Sequence, residues 1–188
     1  MKNYYPDAKE GVSLNAPRPR GKPVQINGFA DSDHAGNLVT RRSHTGILLF
    51  LNMAPIWWCS KRQNNVESST FASEFIALKK ACEQIKSLRY KLRMLGVPIS
   101  GPANLFCDNE SVYKNASNPA STLKKGHNSI AYHLCRECVA SGIVSIHKKS
   151  GDTNLSDLLT KSTHSRERRK YLRECLMRDV KLVDLPNG

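Results

Sequence analysis

A chain of 188 residues with 29 Lys and Arg against 16 Asp and Glu carries a formal net charge of +13, and 39% of it is apolar. That length suits one folded domain with appendages, and the charge calls for a polyanionic partner, nucleic acid before an anionic membrane surface. No apolar stretch approaches the roughly 20 residues of a membrane span, no signal-peptide pattern follows Met1, and the six cysteines are expected as reduced thiols.

Residues 1–23 read as an extended arm, because Pro17, Pro19 and Pro23 disfavour helix and sheet interior alike. A folded domain is expected over 24–162 and a basic tail over 163–188. Val24 to Ala30 is a short strand-like run ending at Asp31. A polar turn through Gly36 and Arg42 leads to a second run, Thr45 to Leu51. After Asn52-Met53-Ala54-Pro55, a third covers Ile56 to Ser60. Three strands on short turns predict an antiparallel meander. Trp57 and Trp58 then fall on opposite faces, one for the core and one for a groove.

The period changes at Phe71. Phe71, Phe75, Leu78, Cys82, Ile85, Leu88, Leu92 and Leu95 recur at steps of three and four, the stripe of an amphipathic helix. Ser68, Ser69 and Thr70 offer N-caps, and Gly96 with Pro98 stops it. Glu74 lies beside the stripe, in line with Ala77 and Ala81, and so faces the sheet edge. Lys79, Lys80, Lys86, Arg89, Lys91 and Arg93 fall on the other side, as a solvated face or one that tracks a phosphate backbone.

A fourth strand, Ala103 to Cys107, ends at Asp108. A short helix over Asn109 to Ala116 and a basic loop reaching Gly126 follow it. Ile130 to Ala140 reads as a helix, Ile143 to Ser150 as a fifth strand and Asn154 to Lys161 as a last helix. The order is β-β-β-α-β-α-α-β-α, with a basic helical tail over His164 to Arg173. Cys135 and Cys138 have a Cys-x-x-Cys spacing near His133. Without a second such pair, two partly buried helix cysteines are the better reading than a zinc site.

Asp31, Glu74, Asp108 and Asp157 fall where a sheet and its flanking helices can bring acids together. Taken singly, an Asp after a strand is usually a turn or cap residue, and Asp157 suits a helix N-terminus. Converging carboxylates repel, so a fold that gathers four of them needs a cation. Two-metal phosphodiester hydrolysis asks for oxygen ligands around a pair of Mg²⁺ ions about 4 Å apart. No covalent nucleophile arrangement stands out in the chain.

Gly28 to Gly36 (Gly-Phe-Ala-Asp-Ser-Asp-His-Ala-Gly), Arg42-Ser43-His44-Thr45-Gly46, Trp58 to Gln63, Ser68-Ser69-Thr70 through Glu74, Cys107-Asp108-Asn109 and Ser156-Asp157-Leu158-Leu159-Thr160-Lys161 together resemble the ribonuclease H region of copia-type LTR retrotransposon Pol polyproteins. The resemblance runs from about Tyr4 to Arg173, in the family's motif order. It implies an α/β RNase H-like fold, a five-stranded mixed sheet with three antiparallel and two parallel strands, flanked by helices. It also implies an endonuclease that cuts the RNA strand of RNA/DNA hybrids during reverse transcription. Asp31, Glu74, Asp108 and Asp157 would be the catalytic metal ligands, for two Mg²⁺ ions or Mn²⁺ in their place. Asp33 is an acid that could assist. His147 is an auxiliary candidate, while His127 and His133 match family histidines better suited to capping and packing. The arm would join a reverse transcriptase module of the same polyprotein, with no membrane partner. The compartment would be a cytoplasmic virus-like particle or the nucleus.

Substrate recognition would then rest on shape, through 2′-hydroxyls of the RNA strand and phosphates of the DNA strand. Asn109, Ser111, Lys124, Lys125, Arg166 and Arg168 are the candidate contacts. The competing reading is a catalytically weak or inactive nucleic-acid-binding remnant.

Overall fold

The computed structural model describes residues 15–118, 129–161 and 165–176, apart from the side chains of Arg168 and Leu172. Three strands come first: β1 (Ile26–Asp33), β2 (His44–Leu51) and β3 (Ala54–Arg62). The long helix α1 (Thr70–Met94) follows, then β4 (Ala103–Cys107), α2 (Glu110–Ser117), α3 (Ser129–Ala140) and β5 (Val144–Lys148). A 3₁₀ turn at Gly151–Thr153 precedes α4 (Asp157–Thr160) and the tail helix α5 (Arg166–Leu176).

The strands form one mixed sheet in the order β3-β2-β1-β4-β5. β1 pairs with β2, and β2 with β3, antiparallel; β1 with β4, and β4 with β5, are parallel. This is the expected α/β arrangement. β1 and β4 sit side by side at the centre, which places the end of one strand near the end of the other.

Alternation along the strands builds two cores. Ile26, Ala30, Ile47, Leu49 and Leu105 face α1, where Phe75, Leu78, Cys82 and Ile85 are fully buried against them. On the opposite face Phe29, Leu48, Phe50 and Leu155 form a smaller cluster, with Phe106, Leu159 and Leu176 against it. Trp57 packs against the first core, while Trp58 points away and is 64% exposed. Cys135 and Cys138 are fully buried on α3 rather than partly so, and their thiols meet that of Cys82. Within the described residues they form no metal-holding set.

Helix α1 begins and ends where its caps require. The Ser69 side chain accepts a hydrogen bond from the Ala72 N–H at 3.3 Å. Gly96 adopts φ +73, the left-handed residue that ends the helix. Residues of the arm return to that end, where the Arg20 N–H donates to the Gly96 carbonyl at 2.8 Å. The last turns depart from the expected faces. Arg89 and Arg93 are buried, and Leu95 is exposed. Arg89 follows Ile85 by one turn, and its guanidinium reaches past the apolar rim to the Gly101 carbonyl at 2.7 Å. The basic face of α1 is therefore shorter than the charges suggest.

The final helix is also shorter than expected, a single turn rather than Asn154 to Lys161. The Asn154 side chain is buried and diverts the chain: its Nδ2 donates to the Ala30 carbonyl at 3.2 Å, and its Oδ1 accepts from the Ser156 hydroxyl at 2.7 Å. The turn then lies directly on β2. A Cβ at Gly46 would come within 2.7 Å of the Ser156 carbonyl oxygen and of Thr160 Cγ2. Gly46 is thus a steric requirement for seating α4 on the sheet. Among the described residues, no helix is long and apolar enough to cross a membrane.

Gly46→Ala is expected to lift α4 off β2. Because the obstruction is backbone, the cost should be about 1–3 kcal/mol in urea unfolding. A loss below a few tenths would mean that the turn is not seated as described.

Candidate metal centre and active site

Asp31 lies within β1, two residues before its end, rather than just after the strand. By the strand alternation it shares the face of Phe29, toward α4, and the Thr160 hydroxyl donates a hydrogen bond to its Oδ2. Asp108 follows β4 directly, with Gly151 beside it: a Cβ there would sit 3.2 Å from Asp108 Oδ2. Glu74 is buried in the second turn of α1, where small neighbours Ala77 and Ala81 leave room against β1. The Ser32 backbone N–H hydrogen-bonds to it.

These three acids meet. Asp31, Glu74 and Asp108 each offer a carboxylate oxygen, and those oxygens all lie within 4.8 Å of one another. Asp157 is close enough for its charge to act on Asp31 and Asp108, yet it stands outside that set. Its Oδ2 instead accepts from Lys161 Nζ at 3.0 Å, a pair spaced i, i+4.

Crowding and burial set the protonation of the cluster. Burial, reinforced by the charges of Asp157 and Asp108, raises Asp31 to about 6 against the relief given by Thr160 and Lys161. Burial raises Glu74 to about 9, with Asp31 and Asp108 adding to it. Asp108 is raised by burial and by Asp157. Lys161 is raised although burial works against it, because Asp157 holds the ammonium by hydrogen bond and charge, with Asp31 and Asp108 behind it.

Buried carboxylates that push one another toward protonation fit a hard divalent cation, which neutralises the repulsion and takes oxygen donors. Asp31, Glu74 and Asp108 have the donor chemistry and the mutual reach for one such ion.

The remaining candidates are dispersed. Asp33 ends β1 outside the cluster and lines a cavity of about 430 Å³ with His44, Ser60, Thr160 and Lys161. His147 lies on β5 with its ring 5.5 Å from Phe106, and is not gathered with the acids. His133 is exposed on α3, edge-on to Tyr132. Asn109 caps α2, its Oδ1 accepting from the Val112 N–H at 3.2 Å, and Ser111 is exposed beside it. Arg166 is exposed on α5 near Arg169, Lys170 and Arg173. Lys124, Lys125 and His127 lie outside the described residues, as does the side chain of Arg168.

Thr160 and Lys161 carry roles that the order of elements alone did not assign. Their signal was present in Ser-Asp-Leu-Leu-Thr-Lys, where steps of three and four from Asp157 return both side chains to its side of the turn.

No family model matches the chain. It is 28% identical over 142 residues to the retrovirus-related Pol polyprotein from transposon RE2 of Arabidopsis thaliana, covering 76% of this chain and 10% of the relative. It is 31% identical over 141 residues to the corresponding polyprotein from transposon TNT 1-94 of Nicotiana tabacum, covering 75% of this chain and 10% of the relative. The chain thus spans about a tenth of the length of the curated relatives it matches. Among solved structures, RNase H1 from the archaeon Halobacterium salinarum NRC-1 aligns with TM-score 0.55 at 16% identity, over 72% of this chain and 94% of that one. LC11-RNase H1 in complex with an RNA/DNA hybrid aligns with TM-score 0.56 at 14% identity, also over 72% and 94%. These likenesses show the fold.

The cluster makes metal-free stability fall as pH rises. Glu74 keeps its proton in the folded chain up to about pH 9, while the unfolded chain loses it near 4.5. Unfolding therefore releases a proton between those values, and the folded state loses ground across that window. In EDTA, Glu74→Gln should be more stable than the parent at pH 7, by roughly 2–4 kcal/mol. Mg²⁺ should stabilise the parent far more at pH 8 than at pH 4.5. Denaturant midpoints independent of pH and metal would count against the cluster as drawn.

Proposed function

We propose that this chain, a relative of copia-type transposon Pol polyproteins with the RNase H fold, is a divalent-metal-dependent endoribonuclease for the RNA strand of RNA/DNA hybrids. The observation that carries this reading is the convergence of Asp31, Glu74 and Asp108 at the end of the central strands. Their oxygens would hold a first Mg²⁺ or Mn²⁺, and Asp157 with its neighbours would complete a second position. Bound there, divalent cations supply activation of water and neutralisation of charge at the phosphodiester.

The chain's own residues set the conditions for that chemistry. The Thr160 hydroxyl fixes the orientation of Asp31, and the Ser32 N–H fixes Glu74. β1, paired on both sides, keeps Asp31 in place relative to the end of β4, where Asp108 stands. Asn109 and Ser111, next to Asp108, suit contact with sugar hydroxyls, and the basic residues Lys124, Lys125, Arg166 and Arg168 suit phosphates. The net charge of +13 favours capture of a polyanion by backbone contacts without base readout. The substrate of LC11-RNase H1, named in its complex as an RNA/DNA hybrid, is the duplex proposed here. The rest of a Pol polyprotein, with a reverse transcriptase module, would deliver it.

With labelled RNA/DNA hybrid, double-stranded RNA and double-stranded DNA, cleavage is expected only in the RNA strand of the hybrid, and only with Mg²⁺ or Mn²⁺. Asp108→Asn should lower that rate by about 10³-fold or more while binding of the hybrid persists. Unchanged cutting by the variant would remove the assignment. Tight binding without cutting by the parent would favour a non-catalytic remnant.

A further inference from the structure

The fourth acid is engaged by a cation that the chain itself supplies. Lys161 Nζ sits 3.0 Å from Asp157 Oδ2, the lysine side chain 46% exposed and the aspartate side chain only 5%. The two partners are therefore unequal: the carboxylate is fixed in the interior, while the ammonium stands at the border of the cavity that Asp33, His44, Ser60 and Thr160 also line. The acids that bear on this pair come from four elements: Asp31 from β1, Glu74 from α1, Asp108 after β4, and Asp157 from α4 itself.

An ammonium on Asp157 Oδ2 and a divalent ion on the same carboxylate compete, since the two cations repel one another at contact range even where each takes a different oxygen. Lys161 follows the last residue of a one-turn helix and borders open space, so its side chain can leave without disturbing the core. Asp157 cannot, because its turn is seated on β2 through Gly46.

Resting on the metal-centre reading above, we propose that Lys161 is a positioning residue that keeps Asp157 off the metal centre in the free protein. The free chain then takes up one divalent ion on Asp31, Glu74 and Asp108. A second is admitted only when a competing anion, such as a phosphate of the hybrid entering the adjoining cavity, draws the ammonium away. Completion of the site is thereby made conditional on substrate, and the device is one side chain.

The test counts ions without nucleic acid and so does not depend on cleavage. Mn²⁺ is titrated into the full chain by calorimetry, with unbound Mn²⁺ followed by electron paramagnetic resonance. The parent and Lys161→Arg should bind one ion. Lys161→Met should bind a second, with affinity at least about tenfold above any second site of the parent. Lys161→Gln, which keeps a hydrated polar side chain, should show the same gain should the methionine variant fold poorly. Adding Asp157→Asn to either variant should abolish the gain. The inference is overturned if both neutral variants match the parent in number and affinity, or if the gain survives Asp157→Asn. One ion in every variant would sink the role of Lys161 and leave the three-acid centre standing. No bound ion in any of them would sink both.

Discussion

Three carboxylates whose oxygens lie within 4.8 Å of one another cannot all ionise cheaply in a buried site, and the architecture is organised around imposing that arrangement. Asp31 is held by a strand paired on both sides, and Asp108 by the end of the strand next to it. Glu74 comes from a helix whose buried face continues for most of 25 residues. A site on loops would relax by letting the acids separate. Here separation would require breaking sheet register or unseating α1 from the first core, so the repulsion persists as raised proton affinity. A cation is then the most economical relief.

The opposite face of the sheet supplies the second constraint. α4 is too short to be stable by its own hydrogen bonds, and its position depends on tertiary contacts. Leu155 and Leu159 join the second core, Asn154 binds the carbonyl of Ala30, and Gly46 vacates the space beneath. All of these contacts reach β1 or its neighbour β2, and those of Asn154 and Gly46 fall within one residue of the level of Asp31. The final turn thus reports the position of the same strand that carries Asp31.

Much of this was legible in the residues. Helix α1 was readable from its stripe, its Ser69 cap and its Gly96 stop, and β4 from an apolar run between Pro102 and Asp108, because those signals are local. The mixed five-stranded sheet came only with the motif-level resemblance, and its strand order was not read at all, since strand pairing depends on contacts distant in sequence. The burial of Arg89 and Arg93 was not legible: a charge pattern assigns arginine to solvent, whereas the carbonyl that receives Arg89 belongs to a loop twelve residues on. The shortness of α4 was hidden for a similar reason. Asn154 reads as a helix residue or cap until its partner, the carbonyl of Ala30, is known. Asp31, Glu74 and Asp108 were singled out by their elements and named as ligands by the resemblance, and the geometry gathers them; Asp157 shares their field without joining their set.

The separation of Asp157 from the other three has a physical origin in one turn of chain. Thr160 and Lys161 are adjacent, and they act on different acids: the hydroxyl donates to Asp31 and the ammonium to Asp157. The first interaction joins α4 to the central strand through a neutral donor, which leaves the charge on Asp31 available to a metal. The second sets a full positive charge against Asp157. A neutral donor at both positions would leave four acids without a paired cation, and a cation at both would tie up Asp31 as well as Asp157. Placing the neutral donor on the strand acid and the half-exposed cation on the helix acid holds the field of the buried cluster down while leaving Asp31, Glu74 and Asp108 gathered together.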